Sequence, residues 1–191
     1  MSPHPSSATL NWSHETDTQA FARRLAALPG VRHAFIELQG DLGAGKTTFV
    51  RHLLRELGVQ GRIKSPTYAV VEPHEVRQGE QVLRIWHFDF YRFNDPREWE
   101  EAGFRDLFAS PGLKLAEWPD KAQGMLPVPD LVLQLKVLGS DETPGEDSDN
   151  GDSSDSSDSS DNEAEAPAAA RRVVLQAATP LGQALLEALC P

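Results

Sequence analysis

The chain has a single cysteine, Cys190, so no disulfide can close within it and nothing points to an oxidising compartment. No uninterrupted apolar run reaches membrane-spanning length. Met1 to Asn11 lack the basic start and apolar run of a secretory signal. A cytoplasmic protein without membrane attachment is therefore expected. Basic charge is also missing over a long stretch. No Lys or Arg lies between Lys136 and Arg171, and the eleven Asp and Glu there account for the entire formal charge of −11. What remains is formally neutral, which argues against DNA or RNA held on a basic face.

With 191 residues the chain is long enough for one α/β domain with a core and short for two. Met1 to Leu10, with Pro3 and Pro5, read as a frayed extension. Residues 139–170 abandon all periodicity for Ser, Asp, Glu and Ala, a self-repelling composition that predicts a disordered insert. Calcium binding is not needed to explain it, since a solvated loop suffices. The expected divisions are a flexible 1–10, a globular 11–138, the acidic insert 139–170, and 171–191 completing the domain.

One stretch has spacing that dictates a chemistry: Gly40-Asp41-Leu42-Gly43-Ala44-Gly45-Lys46-Thr47-Thr48. It reads as a phosphate-binding loop. The glycines let backbone N–H groups turn inward around a polyphosphate, Lys46 supplies a point charge, and Thr47 offers a hydroxyl to Mg²⁺. The flanks agree. His33 to Leu38 is a short apolar strand candidate, and Thr48 to Leu57 places Phe49, Val50, Leu53, Leu54 and Leu57 at helical spacing. Strand, loop and helix come in the order that sets a helix N-terminus under the phosphates.

Around this loop the rest is arranged. A helix capped by Thr16 or Asp17 carries Phe21, Leu25 and Leu28; for Thr16 and Thr18, capping alone is a sufficient reading. Lys64-Ser65-Pro66-Thr67-Tyr68 is an extended turn showing hydroxyls, either a structural turn or a loop that responds to a γ-phosphate. Tyr68 to Val71 and Val82 to Phe88 read as strands joined by a polar connection, Glu72 to Gln81. Asp89, ending the second, stands where an acid near Mg²⁺ belongs. His87 has no spaced His or Cys companions and so predicts no zinc site. Arg92 reads more simply as an ion-pair residue than as a phosphate contact.

Asp95-Pro96-Arg97-Glu98 is a capping-box start for a helix bearing Trp99, Phe104 and Leu107, aromatics that read as core or partner surface. Leu113 to Glu117 is a strand ending in an acid, followed by Trp118. Asp130 to Val137 alternates as a half-covered strand and is expected at an antiparallel edge. Arg171 to Gln176 would pair with it as a hairpin, and Thr179-Pro180 caps a last helix bearing Leu181, Leu185 and Leu189.

The ordered set of the phosphate loop, Ser65-Pro66-Thr67-Tyr68, His87-Phe88-Asp89-Phe90-Tyr91-Arg92 and Glu117-Trp118-Pro119 closely resembles the TsaE (YjeE) family. These are P-loop ATPases of bacterial tRNA threonylcarbamoyladenosine synthesis. The resemblance covers Asn11 to Val137 and resumes at Arg171, leaving out the acidic insert. It implies an α/β, three-layer P-loop NTPase fold, with a mixed sheet of parallel core and antiparallel edge strands. It also implies ATP and Mg²⁺ as ligands, TsaB and TsaD as protein partners, and tRNA reached only through that complex. Carried over, Gly40 to Thr48 hold the phosphates, Lys46 contacts β and γ, and Thr47 and Glu117 ligate Mg²⁺. Asp89 is the Walker-B-like acid and Mg²⁺ neighbour, Thr67 lies in a switch-like loop, and Trp118 stands beside the site and matters for hydrolysis. Thr16, Thr18 and Arg171 or Arg172 approach the nucleotide.

No arginine is unambiguously placed to stabilise a transition state, so a weak ATPase, completed or released by a partner surface, is expected. A P-loop small-molecule kinase is the alternative, but no arginine-rich lid is evident. A GTPase lacks its Asn-Lys-x-Asp segment here. A binding module in which ATP locks a conformation without turnover remains a different class of reading.

Overall fold

The computed structural model describes residues 7–93, 96–139 and 169–190. Seven strands lie in them: β1 Ser7–Trp12, β2 Phe35–Gln39, β3 Val71–Gln78, β4 Gln81–Asp89, β5 Leu113–Glu117, β6 Leu131–Val137 and β7 Arg171–Ala177. The helices are α1 Glu15–Ala26, α2 Lys46–Glu56, α3 Pro96–Glu101, α4 Phe104–Ala109 and α5 Pro180–Leu189. The strands form one sheet in the order β1-β7-β6-β2-β5-β4-β3. β6, β2, β5 and β4 run parallel, while β7 and β1 on one side and β3 on the other are antiparallel additions. This is the α/β fold with a parallel core and antiparallel edges. Among the described residues no helix is long and apolar enough to cross a membrane.

Alternation along the strands sorts side chains between two cores. Leu83 and Ile85 of β4, Leu113 and Leu115 of β5, and Ile36 and Leu38 of β2 join Phe21 and Leu25 of α1, Phe49 and Leu53 of α2, and Leu185 and Leu189 of α5 on one face. Trp86 and Phe88 of β4, with Phe35, Phe90, Phe93, Trp99 and Phe104, form an aromatic cluster on the other. Trp99 and Phe104 thus resolve as core, their rings 5.5 Å apart and edge to face. The same alternation decides where polar residues go. His87, Asp89 and Glu117 share the parity of Ile85 and Leu115 and so point to the side of α2.

The structure differs from the sequence reading at several element bounds. β1 begins at Ser7 and pairs with β7 from Ser7↔Gln176 to Trp12↔Arg171, so the end of the expected extension is a sheet edge. Met1 to Ser6 lie outside the described residues. β6 is interior, between β2 and β7, because β7 from the C-terminal part of the chain and β1 from the N-terminal part add two further antiparallel strands outside it. The expected strand Tyr68 to Val71 is a turn as far as Val70, which takes φ +64°, and the polar connection after it is mostly strand, since β3 spans Val71–Gln78 at the edge, where polar side chains and Pro73 are tolerated.

The helix bounds shift too. α1 starts at Glu15, placing Thr16 and Asp17 inside its first turn; the Asp17 carboxylate accepts from the N–H groups of Ser13 at 2.8 Å and His14 at 3.0 Å. The aromatic helix is two helices, because Gly103 takes φ +67° between α3 and α4. The helix begins at Pro96 as expected, but Asp95 and its capping box lie outside the described residues, as does most of the acidic insert.

Candidate functional site

All four parallel strands end on the same side of the sheet, and the chain turns there into loops that carry polar groups. β2 ends at Gln39 and passes directly into the glycine-rich loop. Gly40 takes φ +138°, and a Cβ there would lie 2.2 Å from the Leu135 carbonyl oxygen, so only glycine lets the loop leave β2 against β6. α2 then begins at Lys46, with the Phe49 N–H donating to the Gly45 carbonyl at 2.9 Å. The helix N-terminus and its free N–H groups therefore sit beneath the loop.

Lys46 is 5% exposed. Its Nζ donates to the carbonyls of Gly40 at 2.6 Å and Asp41 at 2.8 Å, and stands 3.8 Å from the centroid of the Trp118 ring. Burial pushes the ammonium below the usual lysine range, while Glu117, Asp89, Asp41 and Asp120 pull it back. Next along the helix, Thr47 Oγ1 lies 3.0 and 2.8 Å from the two oxygens of Glu117, at the end of neighbouring β5. Glu117 Oε1 also meets His87 Nε2 at 2.8 Å.

One strand further, Asp89 is tied to the loop before β3. Its Oδ2 accepts from Thr67 Oγ1 at 2.9 Å and from Ser65 Oγ, and its Oδ1 accepts from the Tyr91 N–H at 3.0 Å. Asp89 and Glu117 are register partners, so the two carboxylates stand side by side. A cavity of about 350 Å³ opens above them. Leu42, Gly43, Gly45, Lys46, Thr47 and Thr48 form one wall and Ser65, Thr67, Asp89, Tyr91, Glu117, Trp118 and Arg171 the rest.

Arg171 comes from the start of β7, its Nε donating to the Ala44 carbonyl at 2.9 Å. Gly40, Asp41 and Ala44 join the site through their carbonyls. Arg172 is exposed and Arg92 stacks 4.2 Å from the Tyr68 ring centroid, so neither lines the cavity. Thr16 is exposed and Thr18 buried on α1; neither lines the cavity, although β1 delivers the start of α1 to the same end of the sheet. Trp118, one of the residues lining the cavity, holds φ +58°, a left-handed backbone unusual for a bulky residue.

The donor set suits a hard cation. Thr47, Glu117 and Asp89 offer oxygen only, and among the described residues no group of three or more His, Cys, Asp or Glu could hold a metal alone. A site short of protein ligands fits Mg²⁺, which keeps waters and takes phosphate oxygens. Two groups escaped the sequence reading. From the sequence, His87 bears only on zinc, and Ser65 is only one hydroxyl of a turn. The parity of β4, which puts His87 and Asp89 on one face, was the available signal.

Comparison with known proteins bears on the family and the fold. The family model described as "Threonylcarbamoyl adenosine biosynthesis protein TsaE" matches residues 12–144. A Haemophilus influenzae protein named tRNA threonylcarbamoyladenosine biosynthesis protein TsaE is 44% identical over 115 residues, 60% of this chain and 70% of that protein. A Bacillus subtilis protein of the same name is 35% identical over 137 residues, covering 70% and 81% of the two chains. The crystal structure of Bacillus subtilis YdiB superposes with a TM-score of 0.65 at 22% identity, over 98% of this chain and 97% of that one, a likeness of fold.

Proposed function

Because the chain belongs to the TsaE family of threonylcarbamoyl adenosine biosynthesis proteins, we propose that it is an ATP-binding, slowly hydrolysing accessory ATPase of tRNA threonylcarbamoyladenosine formation, acting in the cytoplasm with TsaB and TsaD. The observation that carries the ATPase reading is the Thr47–Glu117 contact, a helix N-terminal hydroxyl against a buried carboxylate beside Lys46 and a glycine-rich loop. That is the arrangement needed to hold the metal-bound polyphosphate of a nucleotide.

In this reading the loop from Gly40 to Thr48 binds the phosphates with its N–H groups. Lys46 exchanges neutral carbonyl acceptors for anionic phosphate oxygens, which strengthens each bond it makes. Thr47 and Glu117 would hold Mg²⁺, with Asp89 next to them. The ion, when bound, neutralises charge on the β- and γ-phosphates. Asp89 orients groups at the γ-phosphate end and keeps Ser65 and Thr67 within reach of it. Trp118 covers Lys46 and limits water. Arg171 steadies the Ala44 end of the loop through Nε, donates from Nη1 to the Ala169 carbonyl at 3.2 Å, and lines the cavity.

Positioning dominates this site, and Arg171 already spends a donor on the loop. Slow turnover alone follows, because rapid phosphoryl transfer draws on an additional group aimed at the transition state. The experiment is phosphate release from ATP, alone and with the cognate TsaB–TsaD pair, with Lys46→Ala as the blank. The reading expects weak turnover that the pair changes and a silent variant. Phosphorylation of a small molecule with no response to the pair would replace it with a kinase.

A further inference from the structure

The proposed ATPase site gives no part to a buried histidine that touches one of its two acids. His87 is wholly enclosed, at 0% exposure, and Glu117 is 2% exposed. Their contact is 2.8 Å, made across strands paired in register at His87↔Leu115 and Asp89↔Glu117. An ionised carboxylate has no hydrogen to give, so the hydrogen of this bond sits on Nε2. Nδ1 has no partner among the described residues. An unpaired lone pair there is the smaller loss, and the Nε2–H tautomer is the one the surroundings favour. No zinc-type cluster surrounds the ring among the described residues. Among the described residues the ring has one hydrogen-bond partner, Glu117.

That bond makes the two oxygens of Glu117 different. Oε1 is held by both His87 and Thr47, whereas Oε2 meets Thr47 alone. A carboxylate free to rotate about its last torsion would present either oxygen, or neither, to an incoming cation. We propose that His87 is a positioning residue. From β4 it clamps Oε1 and thereby aims Oε2 of Glu117 into the cavity, fixing the carboxylate for the divalent cation that accompanies the nucleotide. β4 then serves both acids, holding Glu117 through His87 and contributing Asp89 itself two residues on. This inference rests on the ATPase reading above, and it concerns a residue that touches neither nucleotide nor metal.

The test uses the full chain and three substitutions. His87→Leu keeps bulk without a donor. His87→Gln places an amide N–H near the position of Nε2, and His87→Asn carries the same amide one methylene too short. Binding of a fluorescent ATP analogue is followed as Mg²⁺ is titrated, and thermal unfolding without nucleotide is recorded alongside. Loss of an outer-sphere partner typically weakens metal affinity by about 10- to 100-fold.

His87→Leu and His87→Asn should raise the Mg²⁺ concentration for half-maximal binding by about that factor, with Mg²⁺-free nucleotide affinity unchanged. His87→Gln should stay within about threefold of the wild type, a residue of the same polarity restoring the bond. In a Glu117→Gln background the effect of His87→Asn should vanish. Equal losses in Gln and Asn variants, an unchanged Asn variant, or an undiminished effect without Glu117 would each overturn the inference. Should the Leu variant not fold, the Gln and Asn pair decides alone. Wild-type protein whose nucleotide binding ignores Mg²⁺ would overturn the ATPase reading instead, which keeps the two failures apart.

Discussion

Glu37 lies on β2 with its side chain toward the face opposite the phosphate loop, where its nearest polar partner is Gln39 Nε2 at 3.2 Å. Burial raises its carboxyl above the ordinary 4.5, and the Gln39 hydrogen bond offsets that only in part. Between 4.5 and the raised value the folded state binds more protons than the unfolded one, so stability falls as pH rises through that window. The penalty is complete above it and absent below 4.5. Glu37→Gln should therefore melt at a higher temperature than the wild type at neutral pH. The gap should close as pH falls toward the ordinary carboxyl value, in paired thermal melts from pH 7 downward. Gly40 gives a sharper residue-scale prediction. Gly40→Ala drives a Cβ into the Leu135 carbonyl, whereas Gly43, also at positive φ, has open space around it. Gly43→Ala should cost about 1 kcal/mol and Gly40→Ala more than about 2 kcal/mol in denaturant unfolding. Residues of this kind are legible in sequence because the loop is local: spacing alone names Lys46 and Thr47. The His87–Glu117 bond is not, since thirty positions separate the pair and only strand registration joins them.

At the scale of elements, the end of the sheet away from the cavity depends on one side chain. Asp130 Oδ2 accepts from the Phe35 N–H at 2.7 Å, its Oδ1 accepts from the Thr179 hydroxyl, and Thr179 in turn caps α5 by accepting from the Gly182 N–H at 3.1 Å. The starts of β2, β6 and α5 thus meet at a carboxylate. Thr179→Ala removes a cap and should cost about 1 kcal/mol. Asp130→Ala also leaves the Phe35 N–H without its side-chain acceptor, and should cost about 3 kcal/mol. Both should leave nucleotide affinity unchanged, because the carboxylate is at the opposite end of the strands; urea unfolding and nucleotide titration of the two variants check this. The Thr179 cap was readable from Thr179-Pro180 with its following leucines, as was the hairpin of β6 with β7. The edge position expected for β6 was not. Its alternation reports one apolar face, with Leu131, Leu133 and Leu135 inward, and says nothing about how many strands lie beyond it. Likewise β3 hid as a loop because an edge strand need not alternate in hydrophobicity.

For the molecule as a whole, charge placement matters more than net charge. β6 and β7 stay paired to Val137↔Arg171, and the Leu138 N–H donates to the Ala170 carbonyl at 2.8 Å, so the hairpin is closed before the acidic residues begin. The segment leaves and rejoins the sheet at the phosphate-loop end, next to Arg171 at the cavity wall. Replacing 141–168 with a short Asn-Gly turn removes eleven acidic charges without touching a described hydrogen bond. Long surface insertions cost little in chain entropy, so the melting temperature should move by no more than about 2 °C. Nucleotide capture should respond more. A polyanionic ligand approaching within about 10 Å of acidic side chains is repelled, and salt of about 0.1 M screens that repulsion over the same distance. The shortened chain should associate with ATP several times faster than the wild type at low ionic strength, with the difference fading as salt rises, by stopped-flow fluorescence. A rate unaffected by the deletion at every salt concentration would mean that these charges lie too far from the approach path to act on the nucleotide. A rate difference that persists in high salt would mean instead that the segment occupies the cavity mouth physically.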